Sequence, residues 1–244
     1  MSATETTGHD AHDEHHDHPE WLAHHFETPE QQFEAGKFGI WLFLVTEVLF
    51  FSGLFCAYIY FRSHHPEMFK NASFLLDTNM GAINTAVLLL SSFTMATAVR
   101  MAQTENRGGL ILNLWITLVC AFGFLVIKFF EYSHKLHVGL KWGDAWNPTP
   151  QALSEFNEKL VAGGQPAVEV MPDLHNFFSV YYCMTGLHGI HVVLGIFAIG
   201  WVLRRAYRGD FNRHYFTAVD ATGLYWHLVD LIWIFLFPLM YLIR

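Results

Sequence analysis

The stretch FGIWLFLVTEVLFFSGLFCAYIYF, residues 38–61, decides the fold, because it is long and apolar enough to cross a lipid bilayer as one helix. A transmembrane helix needs roughly 20 apolar residues. Four further stretches of this kind follow, at residues 80–99, 110–130, 177–203 and 223–243. None alternates like a membrane β-barrel strand, and a backbone in lipid must satisfy its own hydrogen bonds. The sequence therefore predicts an all-α membrane protein, a bundle of five transmembrane helices.

The composition also favours a membrane location. Hydrophobic residues make up 52% of the chain and charged residues only 15%, whereas soluble domains carry about 25% charge. The net charge of −8 provides no basic surface for nucleic acid. The sequence also lacks a CxxCH haem-attachment motif, a nucleotide-binding glycine loop and a copper-binding His/Cys set.

The N-terminal segment, residues 1–36, differs from the rest of the chain. It holds nine Asp and Glu, seven His and no Lys or Arg. Such a composition predicts a disordered, solvated tail, and weak binding of zinc or copper is the alternative. The membrane domain, residues 37–244, contains one long connection, residues 133–172, with a helix-compatible part at 154–162. A connection of this length usually has its own structure or a partner.

The distribution of Lys and Arg predicts the orientation. Five spans place the termini on opposite sides of the membrane. Loops 100–109 and 204–221, on the N-terminal side, hold six Lys and Arg, whereas loop 62–78 holds two and the long connection three. Because cytoplasmic loops are enriched in Lys and Arg, we expect the N-terminus in the cytoplasm and the C-terminus outside.

Small residues inside the spans predict how the helices pack. Three cysteines lie in apolar runs and are expected to be buried, unpaired thiols: Cys56, Cys120 and Cys183. Five glycines are expected to let neighbouring helices approach closely: Gly53, Gly123, Gly186, Gly189 and Gly195.

Charged side chains inside the spans are the strongest candidates for functional residues, because each costs about 2.5–3.5 kcal/mol at the membrane centre. Glu47 has no base near it in its span. It is either a buried carboxylate that meets a proton path, a lipid or a partner subunit, or a protonated carboxyl bonded to another helix. Lys128 and Glu131 are three residues apart, so they are expected to form an ion pair on one helix face.

Two pairs of polar side chains repeat this spacing, His188 with His191 and His227 with Asp230. Imidazole and carboxylate groups at this spacing are possible metal ligands. Neither pair has the surrounding residues of a specific metal motif. Hydrogen bonds between helices are therefore the favoured interpretation.

Five stretches, taken together, resemble the cytochrome c oxidase subunit III family of the haem-copper oxidases. They are TEVLFFSGLFCAYIY (46–60), INTAVLLLSS (83–92), KFFEY (128–132), TGLHGIHVVLG (185–195) and YWHLVDLIWIFLF (225–237). The resemblance implies a non-catalytic accessory subunit of a proton-pumping terminal oxidase in aerobic respiratory electron transport. It implies packing on subunit I, which together with subunit II carries the haem and copper. It also implies bound phospholipid, no cofactor in this chain, and the bacterial cytoplasmic membrane.

The resemblance also implies roles for single residues. Glu47 matches the family's buried glutamate, near subunit I and the proton path. Arg205 falls where the family has an arginine that holds a lipid phosphate, a contact that suits a guanidinium group. Structural roles alone are implied for the remaining intramembrane polar residues, namely Lys128, Glu131, His188, His191, His227 and Asp230. No catalytic residue is expected, and the subunit is expected to support sustained turnover and the delivery of oxygen and protons.

This chain departs from the fuller, seven-helix members of the family, because it lacks their first two helices. Its lipid cleft is therefore expected to be narrower, open, or completed by another subunit. The connection at 133–172 is longer than in compact five-helix members, and we expect it to dock on a neighbouring subunit outside the membrane.

Other functions stay open at this point. Quinol oxidase subunits and a nitric-oxide-reductase-associated relative share the five-helix form, although Glu47 in place of the quinol branch's Asp favours the cytochrome c branch. A His-ligated membrane metalloprotein and a proton-coupled transporter are alternatives of another class. Neither the electron donor nor membership of a respiratory supercomplex follows from the residues.

Overall fold

The computed structural model describes residues 26, 28–170, 172–213 and 215–243. Five of its helices are long and apolar enough to cross a membrane, as predicted: α1 (Pro29–His64), α3 (Thr78–Gln103), α4 (Arg107–His137), α6 (His175–Arg208) and α7 (Thr217–Tyr241). The connections contain two shorter helices, α2 (Pro66–Ser73) and α5 (Pro150–Ala162), and a 3₁₀ turn at Gly143–Ala145. Apart from an isolated bridge between Asn212 and Tyr215, the described residues form no β-structure.

Local chemistry sets the helix ends. The Thr28 hydroxyl accepts a hydrogen bond from the Gln31 N–H at 3.2 Å, and Pro29 occupies the first turn of α1. At the C-terminal end of α6, Gly209 adopts a left-handed conformation, with φ of 83°, and ends the helix. Because α1 begins at Pro29, the last part of the predicted tail is helical. The predictions of disorder and metal binding for residues 1–25 lie outside the described residues.

Four of the long helices form a ring and the fifth stands outside it. α3 packs against α4 and α7, and α6 packs against the same two helices. α1 packs along α7. In the most apolar stretch of α1, only 11% of the residues are buried within the chain, compared with 44% in the corresponding stretch of α7. Most of the apolar surface of α1 therefore faces whatever surrounds this chain, either lipid or another protein.

The glycine prediction is correct at one position. A Cβ on Gly195 would lie 2.7 Å from the Trp226 ring, so α6 and α7 approach closely there. A Cβ would meet nothing within 4 Å at the four other predicted positions, Gly53, Gly123, Gly186 and Gly189. Close contacts occur instead at Gly81, against Phe237, and at Gly223, against Val99. Spacing along one helix did not show which face meets a neighbour.

The cysteine prediction is wrong in its burial. The three thiols are free, as expected, but Cys56 and Cys183 are exposed and Cys120 is half-buried. In a membrane protein the lipid-facing surface is as apolar as the core. An apolar run therefore does not distinguish a side chain inside the bundle from one that faces lipid.

The long connection at 133–172 folds against its own chain. α4 continues into it as far as His137, and α5 contains the predicted helical part. The Asn157 side chain donates to the Val168 carbonyl and accepts from the Val168 N–H, both at 2.9 Å. On α5, the side chains of Phe156 and Leu160 are buried. Of the two alternatives, structure of its own is therefore present, and docking on a neighbouring subunit stays a prediction.

Candidate functional site

A buried ionic cluster joins three helices near the end of α4. It consists of Lys128, Glu131 and Lys135 on α4, Tyr181 on α6 and Tyr241 on α7. Glu131 lies 2.9 Å from the Lys128 ammonium group and 2.8 Å from that of Lys135. It also accepts hydrogen bonds from Tyr181 at 2.9 Å and Tyr241 at 2.7 Å. All three charged side chains are buried, and each ammonium group pairs with the one carboxylate of the cluster.

Lys128 uses each of its three N–H donors within this cluster. Besides Glu131, it donates to Tyr241 at 2.6 Å and to Tyr181 at 3.4 Å. Its ammonium group also lies 4.7 Å from the centre of the Trp233 ring. The predicted Lys128–Glu131 pair is confirmed. Lys135 was missed, although its position four residues after Glu131 is the signal for a second pair.

Glu47 meets a base that its own span does not contain. Its Oε2 lies 2.9 Å from Nε2 of His191, which comes from α6. The other ring nitrogen, Nδ1, lies 2.8 Å from the Leu187 carbonyl. A carbonyl oxygen only accepts hydrogen bonds, so Nδ1 carries a proton. The hydrogen bond between Nε2 and the Glu47 carboxyl group requires a second proton. The pair is neutral in sum whether that proton sits on the carboxyl or on the imidazole.

His188 and His191 do not act as a pair. His188 points into the bundle, where its ring centre lies 5.6 Å from that of Phe124 and 5.2 Å from that of Trp233. His191 points instead towards α1 and contacts the Phe51 ring at 4.9 Å. Neither nitrogen of the fully buried His188 has a hydrogen-bond partner among the described residues. Hydrogen bonding between helices is therefore confirmed for His191 and not for His188.

His227 and Asp230 also behave differently. His227 Nδ1 lies 2.7 Å from the Ser92 hydroxyl on α3, which is the predicted bond between helices. Both carboxylate oxygens of Asp230 are buried, and neither has a hydrogen bond to another described residue. Across the described part of the chain, no three His, Cys, Asp or Glu side chains converge as metal ligands would.

Arg205 is engaged within the chain at the end of α6. Its Nε donates to Asp210 at 3.0 Å, and a terminal nitrogen donates to the Tyr215 hydroxyl at 3.3 Å. The guanidinium group also lies 5.0 Å from the centres of the Trp201 and Phe211 rings. These contacts fix the group at the end of a span, where the indole of Trp201 is typical of the membrane interface.

Two apolar grooves flank α1. The α1–α7 groove, of about 400 Å³, is lined chiefly by Val48, Phe51, Phe55, Leu228, Leu231 and Phe235. The α1–α6 groove, of about 240 Å³, is lined chiefly by Leu54, Phe61, Val180 and Met184. Linings of this kind suit hydrocarbon and offer few polar groups to any other ligand.

Comparison with known proteins gives the chain clear relatives. The sequence profile described as cytochrome c oxidase subunit III matches residues 173–243. Cytochrome c oxidase subunit 3 of Synechocystis sp. is 31% identical over 100% of this chain and 84% of its own length. Quinol oxidase subunit 3 of Bacillus subtilis is 28% identical over 87% of this chain and 91% of its own length. A haem-copper oxidase subunit I+III of Aeropyrum pernix is 26% identical over 90% of this chain and 24% of its own length.

Proposed function

Because this chain belongs to the cytochrome c oxidase subunit III family, we propose that it acts as a non-catalytic, lipid-binding subunit of its oxidase. It is a multi-pass membrane protein and a subunit of a haem-copper oxidase of the respiratory chain. In this proposal the haem and copper belong to subunits I and II. Those of its intramembrane polar residues that form hydrogen bonds between helices hold the bundle together, and none takes part in electron transfer.

The exposed surface of α1 carries this proposal. Only 11% of the residues in the most apolar stretch of α1 are buried within the chain, so this helix leaves a large surface for lipid or for another subunit. We propose that subunit I covers part of it. The Aeropyrum pernix relative, whose name places subunits I and III in one chain, supports this contact.

Phospholipid is the proposed occupant of the grooves beside α1. Their linings are apolar over much of the depth of the spans, which suits acyl chains. Arg205 is the proposed ligand of a lipid phosphate, because its guanidinium group is held beside Trp201 where a span ends. Its bonds to Asp210 and Tyr215 orient the group for that contact.

The Glu47–His191 pair has a proposed supporting role. It fixes α1 to α6 beside the surface that subunit I is proposed to cover, and it holds one proton. A neutral pair of this kind is tolerated inside a membrane, where an isolated carboxylate is not. We expect it to sustain turnover and the delivery of oxygen and protons without touching the reacting oxygen.

The proposed orientation places the N-terminus in the cytoplasm. The helix ends that hold Arg100, Arg107, Arg204 and Arg208 lie on the side of the bundle where α1 begins. That side carries most of the Lys and Arg of the short loops, which favours the cytoplasm. The proposed location is the bacterial cytoplasmic membrane, and the bacterial relatives support it.

The second candidate is subunit III of a quinol oxidase, because the Bacillus subtilis quinol oxidase subunit is nearly as similar as the cytochrome c oxidase relatives. Purification in a mild detergent tests the main proposal. We expect this chain to co-purify with two larger subunits, and the complex to show haem absorption and oxidise cytochrome c. Oxidation of quinol alone would favour the second candidate. Isolation without any haem-bearing partner would contradict both.

A further inference from the structure

A polar cavity lies at the opposite end of the bundle from Arg205. It has a volume of about 500 Å³ and is bounded by α2, the start of α3 and the end of α5. Its lining includes Lys70, Phe74, Asp77, Asn79, Lys159 and Gly163. We call it the α3–α5 cavity. Unlike the two grooves beside α1, it brings charged side chains from three segments to one space.

Two lysines of this cavity form no ion pair with a described carboxylate. Lys37, Lys128 and Lys135 each have a carboxylate within 3.7 Å. Within the described residues, Lys70 and Lys159 have no such ion pair, although both are half-buried. An ammonium group in a cavity is stabilised by an anion, and Asp77 supplies the one carboxylate among the residues that line this cavity.

The end of α5 does not need Lys159 as a cap. The carbonyl groups of residues 159–161 already accept hydrogen bonds from the backbone N–H groups of Gly163, Gln165 and Gly164, at 2.9–3.0 Å. Lysines near a helix end often bond to such carbonyls. Since three of the last four carbonyl groups are occupied and Lys159 lines the cavity, its ammonium group can bind a ligand there.

The one carboxylate of the cavity is also engaged. Asp77 Oδ1 accepts hydrogen bonds from the N–H groups of Asn79 at 2.9 Å and Met80 at 3.2 Å, where it caps α3. Two ammonium groups and one carboxylate leave the lining of the cavity positive in sum, in a chain whose net charge is −8.

We propose that the α3–α5 cavity binds a phosphate group, with the ammonium groups of Lys70 and Lys159 as its ligands. Lysine acts as a point charge for phosphate and donates hydrogen bonds to its oxygens. The cavity lies where α3 begins, which is the level of lipid headgroups. The phosphate belongs either to a phospholipid headgroup or to a soluble phosphate. This inference does not depend on the role proposed for the oxidase.

The test uses the complex that co-purifies with this chain, stripped of lipid and kept in dodecyl maltoside, a detergent without phosphate. Equilibrium dialysis measures its binding of radiolabelled inorganic phosphate. The double variant Lys70→Gln/Lys159→Gln should bind phosphate about tenfold more weakly or worse, since two charge-assisted contacts are lost. Lys141→Gln is the matched control, because Lys141 is half-buried on the same side and does not line the cavity. It should bind as the wild type does.

A second arm adds phosphatidylglycerol to the detergent-solubilised complex and identifies the source of the phosphate. Loss of inorganic phosphate binding in the wild type would show that the lipid headgroup occupies the cavity. Unchanged binding would show that the cavity takes soluble phosphate. The variant Lys70→Arg/Lys159→Arg, which keeps both charges, should retain binding in the same assay. Equal binding of phosphate and phosphatidylglycerol by the wild type and the Gln double variant would overturn the proposal.

Discussion

Glu47 on α1 and His191 on α6 lie 144 positions apart in sequence and are joined by a hydrogen bond of 2.9 Å. α1 otherwise packs along α7. The bond therefore adds a second anchor for a helix that has little contact with its own chain. It also pairs a carboxyl group with a base inside the membrane, so that neither residue is a solitary charge.

Replacement of Glu47 by Gln should leave the initial rate of oxygen reduction by the complex within about twofold of the wild type, because no transition-state contact is removed. The amide group of Gln keeps a hydrogen bond to His191, but unlike a carboxyl group it does not take up or release a proton. We therefore expect a shorter active lifetime during turnover, or fewer protons pumped per electron. Oxygen-electrode and proton-release measurements check both. Loss of the first turnover would show that Glu47 takes part in the chemistry.

Replacement of Glu131 by Gln should destabilise the chain strongly. It would leave Lys128 and Lys135 buried without a carboxylate, and breaking a buried ion pair in this way costs about 3–5 kcal/mol. Thermal denaturation of the purified complex measures the effect. Glu155→Gln is the control, because Glu155 pairs with the exposed His134 and such pairs contribute about 0–1 kcal/mol. Equal midpoints for the two variants would contradict the structural role of the cluster.

A single methyl group should distinguish two glycines of α6. Gly195→Ala would place a Cβ 2.7 Å from the Trp226 ring, and overpacking of this kind costs about 1–3 kcal/mol. Gly186→Ala would meet nothing within 4 Å and should be neutral or slightly stabilising. The two denaturation midpoints test whether α6 and α7 touch at Gly195. Equal denaturation midpoints for Gly195→Ala and Gly186→Ala would show that α6 and α7 do not touch at Gly195.

Removal of the Arg205 side chain should release bound phospholipid. Arg205→Ala would lose the proposed contact with a lipid phosphate, and native mass spectrometry of the complex would count fewer retained lipids. Arg204→Ala serves as the control, because Arg204 is its exposed neighbour. Unchanged lipid content in Arg205→Ala would remove Arg205 from the lipid site.

The long connection should be crosslinked to another subunit. Val161 on α5 is 59% exposed, so a photoreactive residue at this position reports on what lies over the connection. We expect a crosslink to a neighbouring oxidase subunit in the intact complex. Crosslinks only to lipid or to solvent-derived products would show that the connection contacts no partner.

The sequence predicted the spans well, because the requirement for an unbroken apolar helix is local to each span. It also predicted the Lys128–Glu131 pair, whose members lie on one helix. Helix ends were less certain, since α1 begins at Pro29 and charged residues are tolerated where a helix leaves the membrane.

The contacts between helices could not be predicted from the sequence. Nothing in the span of Glu47 indicates His191, and nothing in the spacing of His188 and His191 shows that they point in different directions. The exposure of Cys56 has the same origin, because lipid and core are equally apolar. Such features depend on how the helices are rotated in the bundle.

Separation of this chain from its companions, followed by metal analysis and an absorption spectrum of each subunit, tests the central claim most directly. The account predicts that haem and copper remain with the other subunits and that this chain retains neither. A redox centre bound to this chain in a one-to-one ratio would contradict it.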